Sequence, residues 1–162
     1  MLRFVENTLV LHILNLIFKE FVIGITKKIS PIFELIQYLS NSEKYENFIY
    51  RKSRQGLKIK KVPSYIEVRW TSFCDCILII HETKDYIQEF LEKNKILPDK
   101  QLYYLQRLAR LCEKYKEIVL TYEKDDFGAS GVFLADVYLI KQMFSELENT
   151  DLKDGAINAK KS

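Results

Sequence analysis

Residues 70–93 read WTSFCDCILIIHETKDYIQEFLEK, and they open on the single tryptophan of the chain. Apolar side chains recur in this stretch at intervals of three, four or seven residues, at Phe73, Ile77, Ile80, Ile87 and Leu91. This spacing places them on one face of an α-helix, whereas a half-buried strand would alternate apolar and polar residues. The sequence therefore predicts a long helix from Trp70 to about Lys93, which Asn94 and Pro98 bring to an end.

Further helices are predicted downstream of this stretch. Asp99 can cap a helix whose apolar stripe consists of Leu102, Leu105, Leu108, Cys112, Tyr115, Val119 and Tyr122. Residues 125–131 contain two glycines and are predicted to form a loop. Residues 132–147 then form the last predicted helix, and the polar tail at residues 150–162 is predicted to be disordered.

Three helices are predicted upstream. Residues 6–27 form the first, which is apolar on nearly all sides and therefore suited to burial. The second begins at Ser30-Pro31 and ends near Leu39, because serine can cap a helix and proline fits its first turn. The third extends from Glu43 to Arg54. Gly56 ends it, and residues 57–69 are predicted to be an extended connector.

The composition agrees with an all-α fold. Hydrophobic residues make up 48% of the 162 residues, which is enough to form a core, and the length suits one domain or a large piece of one. The sequence has only five glycines and three prolines, and this scarcity of turn residues favours long helices over a strand-rich fold. We therefore predict a mainly α-helical bundle.

Charge, cysteines and apolar runs exclude little. The net charge of +3 is too small to require an anionic partner. Three cysteines with a close Cys74/Cys76 pair do not form a secreted disulfide framework, and we expect buried thiols in an intracellular, reducing compartment.

The charge-free run from Thr8 to Phe18 is too short to span a bilayer. We expect no membrane partner, and we rank a membrane-surface anchor at residues 2–25 low.

A basic cluster is the clearest candidate for a binding surface. Its members are Arg51, Lys52, Arg54, Lys58, Lys60 and Lys61, and no acidic residue occurs between Glu46 and Glu67. Clustered cations can displace the counterions of a nucleic-acid backbone. The pair Arg69-Trp70 adds a guanidinium beside a stacking plane, which suits an unpaired base. The alternatives are a solvated charged face and a core tryptophan, and the residues alone favour these alternatives.

His12 and Asn15 form a polar stripe in the otherwise apolar stretch Leu9-Val10-Leu11-His12-Ile13-Leu14-Asn15-Leu16-Ile17. A histidine in such a place is most often a core residue that is hydrogen-bonded to a neighbour, here Asn15. We therefore do not expect His12 to be catalytic.

This stretch and Val68-Arg69-Trp70-Thr71-Ser72 together resemble the middle region of hAT-family transposases. In that family a Cys-x-x-His-x-Leu-Asn-Leu helix leaves the ribonuclease-H-like core, and an Arg-Trp-x-Ser element follows in a helical insertion close to the cleaved DNA end. The resemblance extends from about Leu9 to Asn149. Leu9 replaces the family's cysteine, which places a thiol-dependent role in doubt.

The resemblance implies a domain organisation and roles for several residues. Residues 1–40 would be helices from the ribonuclease-H-like core, residues 41–149 the helical insertion, and residues 150–162 a tail. Arg69 and Trp70 would contact DNA, and His12 and Asn15 would support the core. DNA binding would be weak and salt-dependent, and the nucleus would be the setting.

Catalysis is not expected. The resembled enzymes cut DNA with an Asp, Asp, Glu triad that holds divalent metals through carboxylate oxygens. No aspartate of this chain has a matching context, and by position the triad would fall upstream and downstream of the chain, as in a truncated or relic transposase. We therefore expect no enzymatic activity, no metal and no cofactor. The alternative function is a small helical module that binds a protein partner through an exposed apolar helix face.

Overall fold

The computed structural model describes residues 2–64, 70–96, 102, 104–124, 134–143 and 145–146, and for residues 2–7, 21 and 24–28 it describes the backbone alone. The helices are α1 (Leu2–Asn41), α2 (Glu43–Arg54), α3 (Trp70–Glu82), α4 (Lys84–Lys93) and α5 (Leu105–Glu123). Residues 134–143 are also helical, and none of the described residues lies in a strand. The predicted all-α fold class is confirmed.

Helix α1 is one continuous helix of 40 residues with Pro31 inside it, so the predicted boundary between two helices at Ser30-Pro31 is wrong. A proline inside a helix removes one backbone hydrogen bond and costs about 3 kcal/mol. Ile29 and Ile32, on either side of Pro31, are fully buried. Burial of each such side chain contributes about 1.5–3 kcal/mol, so packing around Pro31 can offset the local loss.

Helix α2 has the bounds that the sequence predicts. Ser42 caps its first turn, because the Ser42 hydroxyl accepts a hydrogen bond of 3.2 Å from the backbone N–H of Tyr45. At the other end Gly56 has a φ of 85°, and the Leu57 N–H donates to the Lys52 carbonyl at 3.2 Å. A left-handed glycine with this hydrogen bond is the Schellman ending of a helix, which glycine adopts without strain.

The predicted helix from Trp70 to Lys93 is two helices, α3 and α4, which are separated at Thr83. Thr83 has a non-helical backbone conformation, with φ −108° and ψ 16°. Its hydroxyl and its backbone N–H both donate to the Ile79 carbonyl, at 2.7 and 3.0 Å. Hydrogen bonding from a threonine hydroxyl back to the preceding turn bends helices, and here it coincides with the break.

The chain divides into two compact units. The first unit comprises Met1–Ile25 and Lys114–Ser162, and the second comprises Thr26–Glu113. These limits do not coincide with the predicted division into residues 1–40 and 41–149. The predicted tail, residues 150–162, lies outside the described residues, and so does the predicted loop at 125–131.

Each unit has an apolar core of its own. In the first unit the rings of Phe18 and Tyr115 lie 4.1 Å apart between centroids, and the buried Tyr122 hydroxyl donates to Asp136 at 3.3 Å. In the second unit the apolar faces of α1, α2, α3 and α4 meet around the buried residues Leu39, Tyr45, Phe48, Phe73, Ile77, Ile80, Ile87 and Phe90. The three rings of Tyr45, Phe48 and Phe90 lie within 5.0 to 6.2 Å of one another.

Cys74, Cys76 and Cys112 are free and buried, as the sequence analysis expected. The Cys76 thiol donates to the Pro63 carbonyl at 3.3 Å, which ties α3 to the connector. Burial, together with the nearby Asp75 carboxylate, raises the pKa of the Cys76 thiol to about 12. A thiol that stays protonated at neutral pH is a poor nucleophile and a poor metal ligand.

Candidate nucleic-acid interface

The basic cluster lies on the last turns of α2 and on the connector that follows it. Arg51, Lys52 and Arg54 occupy the final turn of α2, where cations interact favourably with the negative end of the helix dipole. In the connector, residues 57–64 have no regular structure. Ile59 and Val62 are buried while the neighbouring lysines point outward, so the apolar pair anchors the connector and exposes its charges.

Three members of the predicted cluster are engaged in ion pairs. Lys52 lies 2.8 Å from Glu89, Lys60 lies 3.3 Å from Glu82, and Lys61 lies 3.1 Å from Glu46, measured between nitrogen and carboxylate oxygen. The Lys60 and Lys61 pairs are exposed, and such pairs contribute about 0–1 kcal/mol. A phosphate could therefore replace these carboxylates at low cost, but Lys60 and Lys61 are partly neutralised in the free protein.

Lys52 is held more firmly than the other two lysines. The Glu89 carboxylate also binds Lys93 at 2.7 Å, and the ammonium groups of Lys52 and Lys93 lie 5.4 and 5.8 Å from the centre of the Phe48 ring. Because both lysines donate hydrogen bonds to it, the pKa of Glu89 is lowered from its usual value. Lys52 thus links α2 to α4.

The other three members of the cluster remain available. Arg51, Arg54 and Lys58 are exposed, and none of them forms an ion pair with another described residue. They extend from the last turn of α2 into the connector. These three cations are the part of the predicted cluster best able to contact a phosphate backbone.

A cleft of about 290 Å³ adjoins the cluster. It is lined by Lys44, Asn47, Phe48 and Arg51 from α2 and by Phe90, Lys93 and Asn94 from the end of α4. None of the described residues that line the cleft is acidic. Its residues fall outside the predicted cluster, except for Arg51. The spacing of Lys44, Asn47 and Arg51, at i, i+3 and i+7, could have indicated one polar face of α2, but nothing in the sequence pairs that face with Lys93.

The structure does not present Trp70 as a stacking surface. Trp70 is only 6% exposed, and its ring packs edge-on against Phe73 with centroids 6.2 Å apart. This is the arrangement of the core alternative, in which the first residue of an apolar stripe packs inward. Arg69, its predicted partner in DNA contact, lies outside the described residues, as does the rest of 65–69.

His12 is exposed and Asn15 is half-buried on α1. No hydrogen bond joins these two residues in the described part of α1. The expectation of a buried histidine satisfied by Asn15 is therefore wrong. The predicted supporting role of both residues toward a ribonuclease-H-like core stays a prediction.

Within the described ranges, no group of three or more His, Cys, Asp or Glu side chains is placed to hold a metal ion. None of the described helices is both long enough and apolar enough to cross a lipid bilayer.

Comparisons with models of protein families, with curated proteins and with solved structures found no match to this chain.

Proposed function

We propose that this chain is a non-catalytic, all-helical nucleic-acid-binding protein that resembles the helical insertion of hAT-family transposases. The observation that carries the proposal is the set of exposed cations Arg51, Arg54 and Lys58, which have no ion-pair partner among the described residues. Neutralising phosphates with such side chains releases condensed counterions, and this favours binding without regard to base sequence. Binding of this kind is weak and salt-dependent. The resemblance to hAT-family transposases implies a nuclear setting.

The proposal retains only part of the predicted contact set. Arg51, Arg54 and Lys58 form the contact surface, while Lys52 supports the packing of α2 on α4. Lys60 and Lys61 contribute once phosphate displaces Glu82 and Glu46. Trp70 has no part in DNA contact, because its ring is buried.

Salt dependence tests the proposal. The affinity of the full chain for a fluorescently labelled duplex is measured by anisotropy at several salt concentrations. Three phosphate contacts give a slope of log K against log salt that is steeper by about 2–3 than in their absence. The Arg51→Gln, Arg54→Gln, Lys58→Gln triple variant is expected to lose this part of the slope, equally for unrelated DNA sequences.

A matched control separates a local surface from overall charge. Lys84, Arg107 and Arg110 are exposed and form no ion pair with other described residues, so replacing them with glutamine removes the same net charge elsewhere in the second unit. The control is expected to keep most of the wild-type affinity. Equal losses in the two variants, or a salt-independent wild type, would contradict the proposal.

The absence of cutting activity is tested separately. With magnesium or manganese, the purified chain is expected neither to nick nor to join DNA, because no aspartate has the context of the family's triad. Cleavage that co-purifies with the chain and persists after contaminating nucleases are removed would refute this part of the proposal.

A second candidate function is a protein-interaction module, and the first half of α1 favours it. Leu9, Leu16 and Ile23 are spaced seven residues apart and are 57%, 45% and 52% exposed. At 1.5 Å per residue they form an apolar stripe about 21 Å long, which suits an apolar helix of a partner protein. If the stripe is a contact surface, replacing the three residues with glutamine should weaken the association of this chain with its protein partner. Light scattering measures that association, and the affinity of the chain for DNA should not fall.

A further inference from the structure

The cleft between α2 and the end of α4 has the chemical make-up of an anion site. Lys44 and Arg51 approach it from one face of α2, and Lys93 approaches it from the last turn of α4. Neither Lys44 nor Arg51 forms an ion pair with another described residue, and Lys93 shares the Glu89 carboxylate with Lys52. The cleft therefore carries an excess of positive charge that the surrounding described residues do not cancel.

The type of each cation favours phosphate. Arg51 offers a planar fork of donors that matches two oxygens of a phosphate group. Lys44 and Lys93 add point charges from the flanks. Clustered charge-assisted donors of this kind bind phosphate more strongly than neutral donors do.

The other lining residues favour a ligand larger than inorganic phosphate. The volume of 290 Å³ is near the lower end of the range for small-molecule sites. The Asn47 amide forms no hydrogen bond within the described residues, so it can donate to a ligand and accept from it. Phe48 and Phe90 form a small apolar floor beside these polar groups, because the two residues are only 4% and 3% exposed. An organic body with both an apolar surface and hydrogen-bonding edges matches this lining.

We propose that this cleft binds one phosphorylated nucleotide, with its phosphate between Lys44, Arg51 and Lys93 and its nucleoside against Asn47 and the Phe48–Phe90 floor. The choice of a nucleotide over other phosphate esters rests on the proposed nucleic-acid binding. The nucleotide is either free or the phosphorylated end of a strand, since the two present the same group.

The test measures binding of 5′-AMP to the full chain by calorimetry, with adenosine and inorganic phosphate as partial ligands. AMP is expected to bind more tightly than either one, because only AMP engages both the cations and the floor. The Lys44→Gln, Lys93→Gln double variant is expected to lose about tenfold or more of the AMP affinity, as for the loss of charge-assisted hydrogen bonds. The Lys84→Gln, Arg107→Gln control removes the same charge outside the cleft and is expected to change the affinity less than about twofold.

Competition distinguishes the two sources of the nucleotide. A single strand with a 5′-phosphate that displaces AMP better than the same strand with a 5′-hydroxyl supports the strand end as the ligand. Displacement by neither strand, with AMP binding retained, supports a free nucleotide. A thermal melt of each variant shows whether it is folded. If the double variant is not folded, the Lys44→Gln single variant takes its place in the test, because it keeps the Glu89–Lys93 pair intact.

Different experimental results would contradict the assignment of the cleft as a nucleotide site and the proposed function of the chain. Duplex binding with a steep salt slope, combined with no AMP binding by the wild type, would overturn the cleft assignment alone. Equal AMP affinity in the cleft and control variants would overturn it as well. AMP binding that depends on Lys44 in a chain with no affinity for duplex DNA would retain the cleft and reject the proposed function.

Discussion

Tyr45 carries a buried hydroxyl that forms no hydrogen bond with another described residue. Its ring packs edge-on against Phe90 at 5.0 Å, and burial raises its pKa to about 12. The nearby Thr83 hydroxyl lowers that pKa in part, and the proton of this hydroxyl is donated to the Ile79 carbonyl. An unsatisfied buried polar group costs about 1–3 kcal/mol. The ring of Tyr45 therefore stabilises the fold, whereas its hydroxyl does not.

The Tyr45→Phe variant is expected to be as stable as the wild type or more stable by about 1 kcal/mol, because the substitution removes an unsatisfied group and keeps the ring. Urea unfolding followed by circular dichroism measures the change. Tyr122→Phe is the comparison, since it removes the hydrogen bond to Asp136 and should cost about 0.5–1.5 kcal/mol. A clear loss of stability in Tyr45→Phe would show that its hydroxyl is bonded after all.

Glu89 makes the stability of the second unit depend on pH. Lys52 and Lys93 lower the pKa of this carboxyl in the folded protein, while the unfolded chain keeps a value of about 4.3. The stabilisation is therefore complete well above pH 4.3, and it is lost as the pH falls through the lowered folded pKa. At neutral pH Glu89→Gln is expected to melt below the wild type, and the gap should close in acid. Glu113→Gln, at an exposed position with no ion pair to a described residue, should show no such closing gap.

The sequence shows where the cations lie, but it does not show which carboxylates pair with them. The run from Arg51 to Lys61 has no acidic residue within it, so the sequence suggested one uniformly positive surface. Glu46, Glu82 and Glu89 come from three different helices and reach Lys61, Lys60 and Lys52 only after folding. Local composition therefore predicted where the charge lies and could not predict how much of it is neutralised.

The sequence predicts the ends of a helix correctly where local signals act alone. The bounds of α2 follow from Ser42 and Gly56, whose effects on the backbone do not depend on the rest of the fold. The sequence predicted a helix boundary at Pro31 that the structure lacks, and it missed the boundary at Thr83. Packing overrides the stop signal at Pro31, and Thr83 interrupts an apolar stripe that carries no glycine or proline.

Helix α1 offers a test of this competition. Pro31 lies inside the helix and leaves one carbonyl of the preceding turn without its usual donor, so Pro31→Ala should restore a backbone hydrogen bond. We expect the free energy of unfolding to rise by about 1–3 kcal/mol, measured by chemical denaturation. Gln37→Ala, at an exposed position of the same helix, should change it by less than about 0.5 kcal/mol. A second helix that began at Ser30 would hold Pro31 in its first turn, and Pro31→Ala would then be neutral or destabilising.

The two units differ in the number of large apolar side chains that are exposed among their described residues. The first unit contains the exposed side chains Leu9, Leu16, Ile23, Leu120, Leu134, Tyr138 and Leu139. The second unit contains only Tyr38 and Tyr50 among the exposed large apolar side chains of the described residues. Leu9, Leu16 and Ile23 lie on one face of α1, and an apolar stripe of this kind marks a contact site more often than scattered residues do. The proposed phosphate contact therefore belongs to the second unit. The contact with a partner protein, which is the second candidate function, belongs to the first unit.

The emission of the single tryptophan can be assigned to Trp70 alone, because no other indole contributes to it. Trp70 is 6% exposed and packs against Phe73, so its fluorescence should be blue-shifted in the native state and shift to the red on unfolding. Trp70→Ala should lose about 3–5 kcal/mol of stability, a large share of the 5–15 kcal/mol typical of a folded domain. Trp70→Phe should stay folded and bind DNA as the wild type does, since the proposed contacts are made by Arg51, Arg54 and Lys58. Saturating single-stranded DNA should leave the emission of the wild type unchanged. Quenching by DNA together with weakened binding in Trp70→Phe would instead place Trp70 in the interface, as a base-stacking residue would require.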